Sequence, residues 1–299
     1  MDTLHKILKG LMSRYQERVP DVNKITQALI EKGLIKTISD IENDHIAFRT
    51  IGVPHLGIQS LEKIFLFHGY SPQDDFYFEH KKLNARWYAP PEKHLPRIFI
   101  SELRVDDFTE DIQATIRSFT KEVKSDPVDE LDLNNATQVD HFLHASLWRI
   151  PSWKEYKTLA EVSEYASWTI YNKYYLNHFT ISVHNLPHPY NTLEKFNELL
   201  LSIGIHLNSA GGVIKTSKDG LLKQSSSISQ MIDAPFSNGE THQIAGSYVE
   251  FAERKILPVF AHLDERKIER THRRDGFETA NADKIFESTY SSQTRKNKN

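Results

Sequence analysis

Two histidines, His45 and His178, head stretches of alternating side chains 133 residues apart: Asp44-His45-Ile46-Ala47-Phe48-Arg49 and Asn177-His178-Phe179-Thr180-Ile181-Ser182-Val183. Successive side chains of a strand point to opposite faces. His45, Ala47 and Arg49 therefore share one face, and His178, Thr180, Ser182 and His184 share another. Two imidazoles at matching places in a duplicated unit can face one cavity and bind a metal. Glu250, in Gly246-Ser247-Tyr248-Val249-Glu250-Phe251-Ala252, is the candidate third donor, since an ionised carboxylate between apolar neighbours is costly unless paired or metal-bound. Arg49 is long enough to lean back over His45 and clamp a carboxylate through two parallel N–H bonds.

Each of these residues also has a structural reading. The polar face of the second stretch fits solvent exposure, and Glu250 fits a buried salt bridge to Arg254 or Arg273. Glu102, in the apolar run Arg97-Ile98-Phe99-Ile100-Ser101-Glu102-Leu103, is expected to hold the place corresponding to Glu250 in the first unit. It is either a fourth ligand or a structural partner. Two imidazoles and one carboxylate leave up to three positions open, as in non-haem Fe(II) oxygenases. A 2-oxo acid can fill two of them and O2 the third. Four protein ligands would instead suggest a closed, structural zinc site. His141 and His144 lie three apart on a helical pattern without a third ligand, and His262 and His272 sit in charged sequence.

The echo extends beyond the histidines. Each copy continues with Pro-His (Pro54-His55, Pro187-His188), then Leu-Glu-Lys (from Leu61, from Leu193), then a glycine, Gly69 or Gly204. This is the pattern of a repeated strand, loop and helix. Strands are expected near 44–51 and 177–184, with helices near 58–68 and from Thr192 to Ser202. Extended segments near 76–78, 84–88 and 97–103 complete the first unit. The second unit closes with a hairpin turning at Asp219-Gly220 and strands near 229–232 and 243–253. Residues 1–37 read as helical, and the aromatic-rich block 107–175 as a helical insert of core and packing surface. The expectation is one α+β domain over 1–290: first module about 40–105, insert 106–175, second module 176–257, then a disordered tail over 291–299.

Composition narrows the function classes. The 299 residues carry 37 Lys and Arg against 40 Asp and Glu, a net charge of −3, which argues against a nucleic-acid-binding face. No stretch approaches the roughly 18 apolar residues of a membrane span. The start of the chain lacks the pattern of a signal peptide, so the expected location is cytoplasmic. With no cysteine, any metal must be held by His, Asp or Glu. Neither a phosphate-binding glycine loop nor a GxSxG elbow occurs.

The segments Asp44–Thr50, Asn177–Ser182, Gly246–Arg254 and Gly276-Phe277-Glu278 through Ile285-Phe286-Glu287-Ser288-Thr289 resemble the 2-oxoadipate dioxygenase/decarboxylase family, also called hydroxyglutarate synthase, over about residues 5–290. The resemblance implies a vicinal oxygen chelate-like fold in which two βαβββ-type modules cup a metal. It implies Fe(II) held by His45, His178 and Glu250, with Arg49 holding the substrate. The implied partners are a small 2-oxo acid and O2, with no nucleic acid and no membrane; a homo-oligomer stays open. The implied reaction is oxidative decarboxylation of 2-oxoadipate followed by internal hydroxylation to 2-hydroxyglutarate, in lysine catabolism. The chain resembles a compact branch. Where longer members place a Val-Ser pair against the substrate it has Ala280-Asn281, and Asn281 either binds a distal carboxylate or caps its helix. A redox-inert zinc or nickel enzyme and a metal-free binding module are the competing readings.

Overall fold

The structure, a computed structural model, describes residues 2–295. The helical N-terminus is two helices, because Pro20 cannot continue the first and suits the first turn of the second. They are α1 (Thr3–Arg18), capped by the Asp2 side chain, and α2 (Pro20–Glu31). Their apolar stripes (Leu4, Ile7, Leu8 and Leu11; Ile25, Ala28 and Leu29) are buried as the spacing predicts.

The first module runs β1 (Asn43–Gly52), α3 (Ile58–Phe67), β2 (Ser71–Phe78), β3 (Leu83–Ala89) and β4 (Arg97–Arg104), a βαβββ unit. The insert supplies α4 (Glu110–Thr120), α5 (Ala136–His144), α6 (Trp153–Val162) and α7 (Glu164–Asn172). The second module runs β5 (His178–Ser182), α8 (Leu193–Ser202), β6 (Lys215–Thr216) and β7 (Leu222–Ser226). It continues through β8 (Met231–Pro235) and β9 (Thr241–Ala245) to β10 (Tyr248–Arg254). The strand expected over 243–253 is interrupted: β8 and β9 form a separate two-stranded ribbon, leaving β10 to the main sheet. After β10 come α9 (Thr279–Ile285) and α10 (Ser291–Thr294). The expected tail thus begins as a helical turn with buried Gln293 and Thr294, while 296–299 lie outside the described residues.

The eight strands of the main sheet follow the order β2-β3-β4-β1-β5-β10-β7-β6, each half mirroring the other about the β1–β5 seam. In both halves the leading strand lies parallel to the last strand of its module. The helices end alike too. Gly69 and Gly204 take positive φ, 87° and 72°, and the amides of Tyr70 and Ile205 reach back to carbonyls of Phe65 and Leu200. This helix stop needs a left-handed residue, which glycine supplies without a Cβ clash.

Strand register settles the equivalences. His45 aligns with Arg97 and His178 with Tyr248, so Glu250, opposite Thr180, corresponds to Phe99, opposite Ala47. Glu102 corresponds instead to Glu253. Both do one job: the Glu102 carboxylate accepts from the amide of Ile58 at 2.9 Å and that of Glu253 from the amide of Leu193 at 2.8 Å, each at the start of its module's helix. Free N–H groups and the positive end of the helix dipole favour an anion there. Placing Glu102 in the position of Glu250 is therefore corrected, because Glu102 lies three residues further along its strand than the position that pairs as Glu250 does.

Glu102→Ala and Glu253→Ala are each expected to lower stability by about 0.5–2 kcal/mol, the usual loss with a helix N-cap. A lower urea midpoint for both, with bound metal unchanged, is the expected result; unaltered midpoints would mean that neither carboxylate holds its helix.

Candidate metal centre

His45 lies on β1, His178 on β5 and Glu250 on β10, the three neighbouring strands at the centre of the sheet. The seam between β1 and β5 is irregular: Asn43 pairs with Ile181 and Ile46 with Phe179, so Asp44 and His45 together face Thr180. Such a bulge re-aims a side chain, and the Thr180 hydroxyl sits 3.1 Å from His45 Nε2. All of β5 is buried, which excludes the solvent-face reading. The strand ends at Ser182, and His184 turns away to accept the Arg254 amide on Nδ1 at 3.2 Å.

The three candidate donors converge. His178 Nε2 lies 3.4 Å from His45 Nε2, and Glu250 Oε2 lies 3.1 Å from His178 Nε2 and 3.5 Å from His45 Nε2. With metal–ligand bonds of about 2.0–2.2 Å, donors on adjacent corners of a coordination polyhedron stand roughly 3–3.5 Å apart. The donor set therefore fits one ion. The outer nitrogens are occupied, Nδ1 of His45 by Asp44 at 2.8 Å and Nδ1 of His178 by Asn177 at 3.0 Å, which turns both Nε2 lone pairs inward. Glu250 Oε1 accepts from Gln224 Nε2 at 2.6 Å, leaving Oε2 for the centre. The salt bridge from Glu250 to Arg254 or Arg273 is absent among the described residues, since Arg254 pairs with Asp44 and Arg273 donates to the Arg254 carbonyl.

Electrostatics favour the metal-ready form at Asp44 and His178 but not at His45. Burial would raise the Asp44 carboxyl, but the charges of Arg254 and Arg97 outweigh it and hold the group well below the usual carboxylate range. Burial, reinforced by the charges of His45 and Arg49, keeps His178 neutral, as a ligand must be. For His45 burial is overcome by Glu250 and Asp44, which draw the ring toward its protonated form. A bound cation would displace that proton.

The fourth pseudo-equivalent position, Phe99, carries no donor. Phe99 lines the same cavity as the triad, so the fold offers four inward places and fills three with groups that could hold a metal. The cavity measures about 20 Å3 and is bordered by Phe277, Ala282, Ile285 and Phe286 from the chain after β10. Arg49 is buried nearby, donating to Thr289 Oγ1 at 3.0 Å and to the Phe286 carbonyl at 3.1 Å, with its guanidinium over Tyr165 and Trp168. These partners are neutral, and its Nε has none among the described residues. Asn281 does not occupy the cap position of α9, which is Glu278. Its amide donates to Gln224 Oε1 at 3.0 Å and to the Lys215 carbonyl, so it touches Glu250 through Gln224.

Sequence reasoning missed Asn177 and Gln224 and gave Asp44 no role of its own. The first and last were detectable in principle, because an Asp or Asn precedes the leading histidine in both copies. Gln224 and Phe99 become visible only once the strands are paired.

A family model described as 2-oxoadipate dioxygenase/decarboxylase matches residues 7–265. The chain is 44% identical over 273 residues to the chloroplastic 2-oxoadipate dioxygenase/decarboxylase of Arabidopsis thaliana, covering 87% of this chain and 72% of that protein. Its structure is similar to hydroxyglutarate synthase from Oryza sativa, solved in complex with 2-oxoadipate. The TM-score is 0.87 at 37% identity, covering 97% of this chain and 92% of that one. A putative glyoxalase superfamily protein from Ralstonia eutropha JMP134 shares the fold, with TM-score 0.69 at 18% identity over 91% of this chain and 84% of that one.

Placing a carboxylate at the unfilled position should close the site. Phe99→Glu is expected to bind Zn(II) roughly tenfold or more tightly than wild type, a ligand counting for at least as much as an outer-sphere partner, while Phe99→Leu matches wild type. Equal zinc affinity in all three proteins would show that residue 99 does not reach the ion.

Proposed function

This chain belongs to the 2-oxoadipate dioxygenase/decarboxylase family, and from that premise we propose that His45, His178 and Glu250 hold Fe(II) and that Arg49 binds a carboxylate of 2-oxoadipate. The balance is 2-oxoadipate plus O2 giving 2-hydroxyglutarate plus CO2, a step suited to lysine catabolism. The observation that carries the reading is the convergence of two imidazoles and one carboxylate on one point, with a phenylalanine in the fourth place. Zinc, having no redox chemistry, does not suit a dioxygenase. Held by these three residues, ferrous iron would supply the redox chemistry and open coordination positions that a reaction of O2 with a 2-oxo acid needs.

The chain's own residues supply orientation and a dry site. Asp44 and Asn177 hold the imidazoles in the tautomer that presents Nε2, and Gln224 fixes the carboxylate of Glu250. Gln224 is itself steadied by Asn281, which gives Asn281 a positioning role beside the substrate-binding role implied by resemblance. Arg49, a buried cation whose close contacts are neutral, is poised to gain from a substrate carboxylate through a charge-assisted bidentate bond. The rings of Phe99, Phe277 and Phe286 keep water from the reacting carbons.

The deciding experiment is turnover of 2-oxoadipate by protein purified and reloaded without oxygen. Ferrous protein is expected to consume O2 and release CO2 in equal amounts without added 2-oxoglutarate, and zinc-loaded protein to do neither. Equal activity with zinc and no oxygen demand would refute the assignment. Arg49→Lys should keep its metal yet lose roughly ten- to hundredfold in kcat/KM, the equivalent of about 1.5–3 kcal/mol for a hydrogen bond to a charged group. Loss of metal together with activity would make Arg49 a structural residue.

A further inference from the structure

A second group of metal-ligating side chains lies outside the inner centre. His5, in the first turn of α1, meets His94 and Glu92 in the loop between β3 and β4, with ligand atoms of all three within 4.8 Å of one another. His5 Nε2 stands 3.2 Å from His94 Nε2, and Glu92 Oε2 stands 3.6 Å from His94 Nε2. Two edges of this group are thus close to the 3.1–3.5 Å edges of the inner triad, and the third, from His5 to Glu92, is wider but stays within 4.8 Å. The Asp2 carboxylate meets His5 Nδ1 at 2.7 Å, as Asp44 meets His45 Nδ1 at 2.8 Å. A carboxylate behind a histidine fixes the tautomer that offers Nε2 to a metal. Both Nε2 atoms point into the same gap, where a neutral pair can satisfy only one with a proton.

We propose that His5, Glu92 and His94, backed by Asp2, form a second, peripheral site for a borderline divalent cation of the zinc type. Three protein donors and water would complete a tetrahedral shell, the side chains being partly to largely exposed. The ion clamps the start of α1 to the β3–β4 loop, segments 89 residues apart. Both continue inward to the inner centre. Tyr15 of α1 donates to the carbonyl of Tyr248, which lines the inner cavity, and Arg97, just after the loop, donates to Asp44 behind His45. The clamp thus ties together two elements that buttress the inner site from outside, without contributing a ligand to it.

Zn(II) titration by calorimetry and equilibrium dialysis tests this. Wild type is expected to bind two equivalents, and His5→Ala and His94→Ala one each. Both variants should retain 2-oxoadipate turnover when reloaded with iron, since neither touches the inner triad. Asp2→Asn should keep the second equivalent with roughly 10- to 100-fold weaker affinity. One equivalent in wild type, or two in both alanine variants, would overturn the proposal. His178→Ala, expected to lose the inner equivalent and keep the outer one, makes a failure here distinguishable from a failure of the inner assignment.

Discussion

The antiparallel pairing of β1 with β5 is the constraint on which the rest depends. It places two copies of one module back to back, so that residues at equal positions meet across a seam instead of lying 133 residues apart. Each leading strand runs parallel to the last strand of its own module, which sets the third and fourth inward positions beside the histidines. Parallel neighbours require a crossover, here α3 and α8, and each helix start is tied to the far strand by a glutamate. The same pairing explains why the site is buried: a central strand with neighbours on both edges offers little backbone to solvent.

Burying this much charge is tolerable only because it is arranged in alternation. Asp44 lies between Arg97 and Arg254, Arg254 also satisfies the Gly276 carbonyl, and Arg97 reaches Asp275 at the margin. Removing one partner of such a set leaves an uncompensated buried charge, so its members are coupled. Arg254 thereby links the outer sphere of His45 to the segment that covers the cavity. Arg49 stands apart from this network. Its close partners are a hydroxyl, a carbonyl and aromatic rings, with no carboxylate within ion-pair distance among the described residues.

Much of the architecture was legible in the sequence because duplication leaves two imperfect copies of each signal. The strand–helix–glycine echo located both modules, and the alternation around His45 and His178 gave their shared faces. Glu250 was visible as a carboxylate among apolar neighbours. What failed to show depended on pairing. Glu102 was matched to Glu250 because each is a carboxylate in an apolar strand of its unit, and only register reveals that Phe99 corresponds to Glu250 and Glu253 to Glu102. The break between β9 and β10 was hidden because Gln243 to Glu253 reads as one extended run. The partnership of Gln224 with Asn281 joins β7 to α9, a contact between elements that no local pattern encodes.

The size of the inner cavity carries the argument one step further. About 20 Å3 holds a single water molecule, whereas a six-carbon diacid needs room for eleven non-hydrogen atoms. The side chains facing the triad on its open side, Phe277, Ala282, Ile285 and Phe286, all belong to the segment after β10, whereas the opposite walls are the packed sheet itself. These four side chains form the cover on that side of the triad. Two of the bonds holding it down come from Arg49, to the Phe286 carbonyl and to Thr289. Arg49 thereby ties β1 to the segment that borders the triad. Apolar packing of Phe277 and Phe286 against Phe99 completes that cover without adding a metal donor beside the triad.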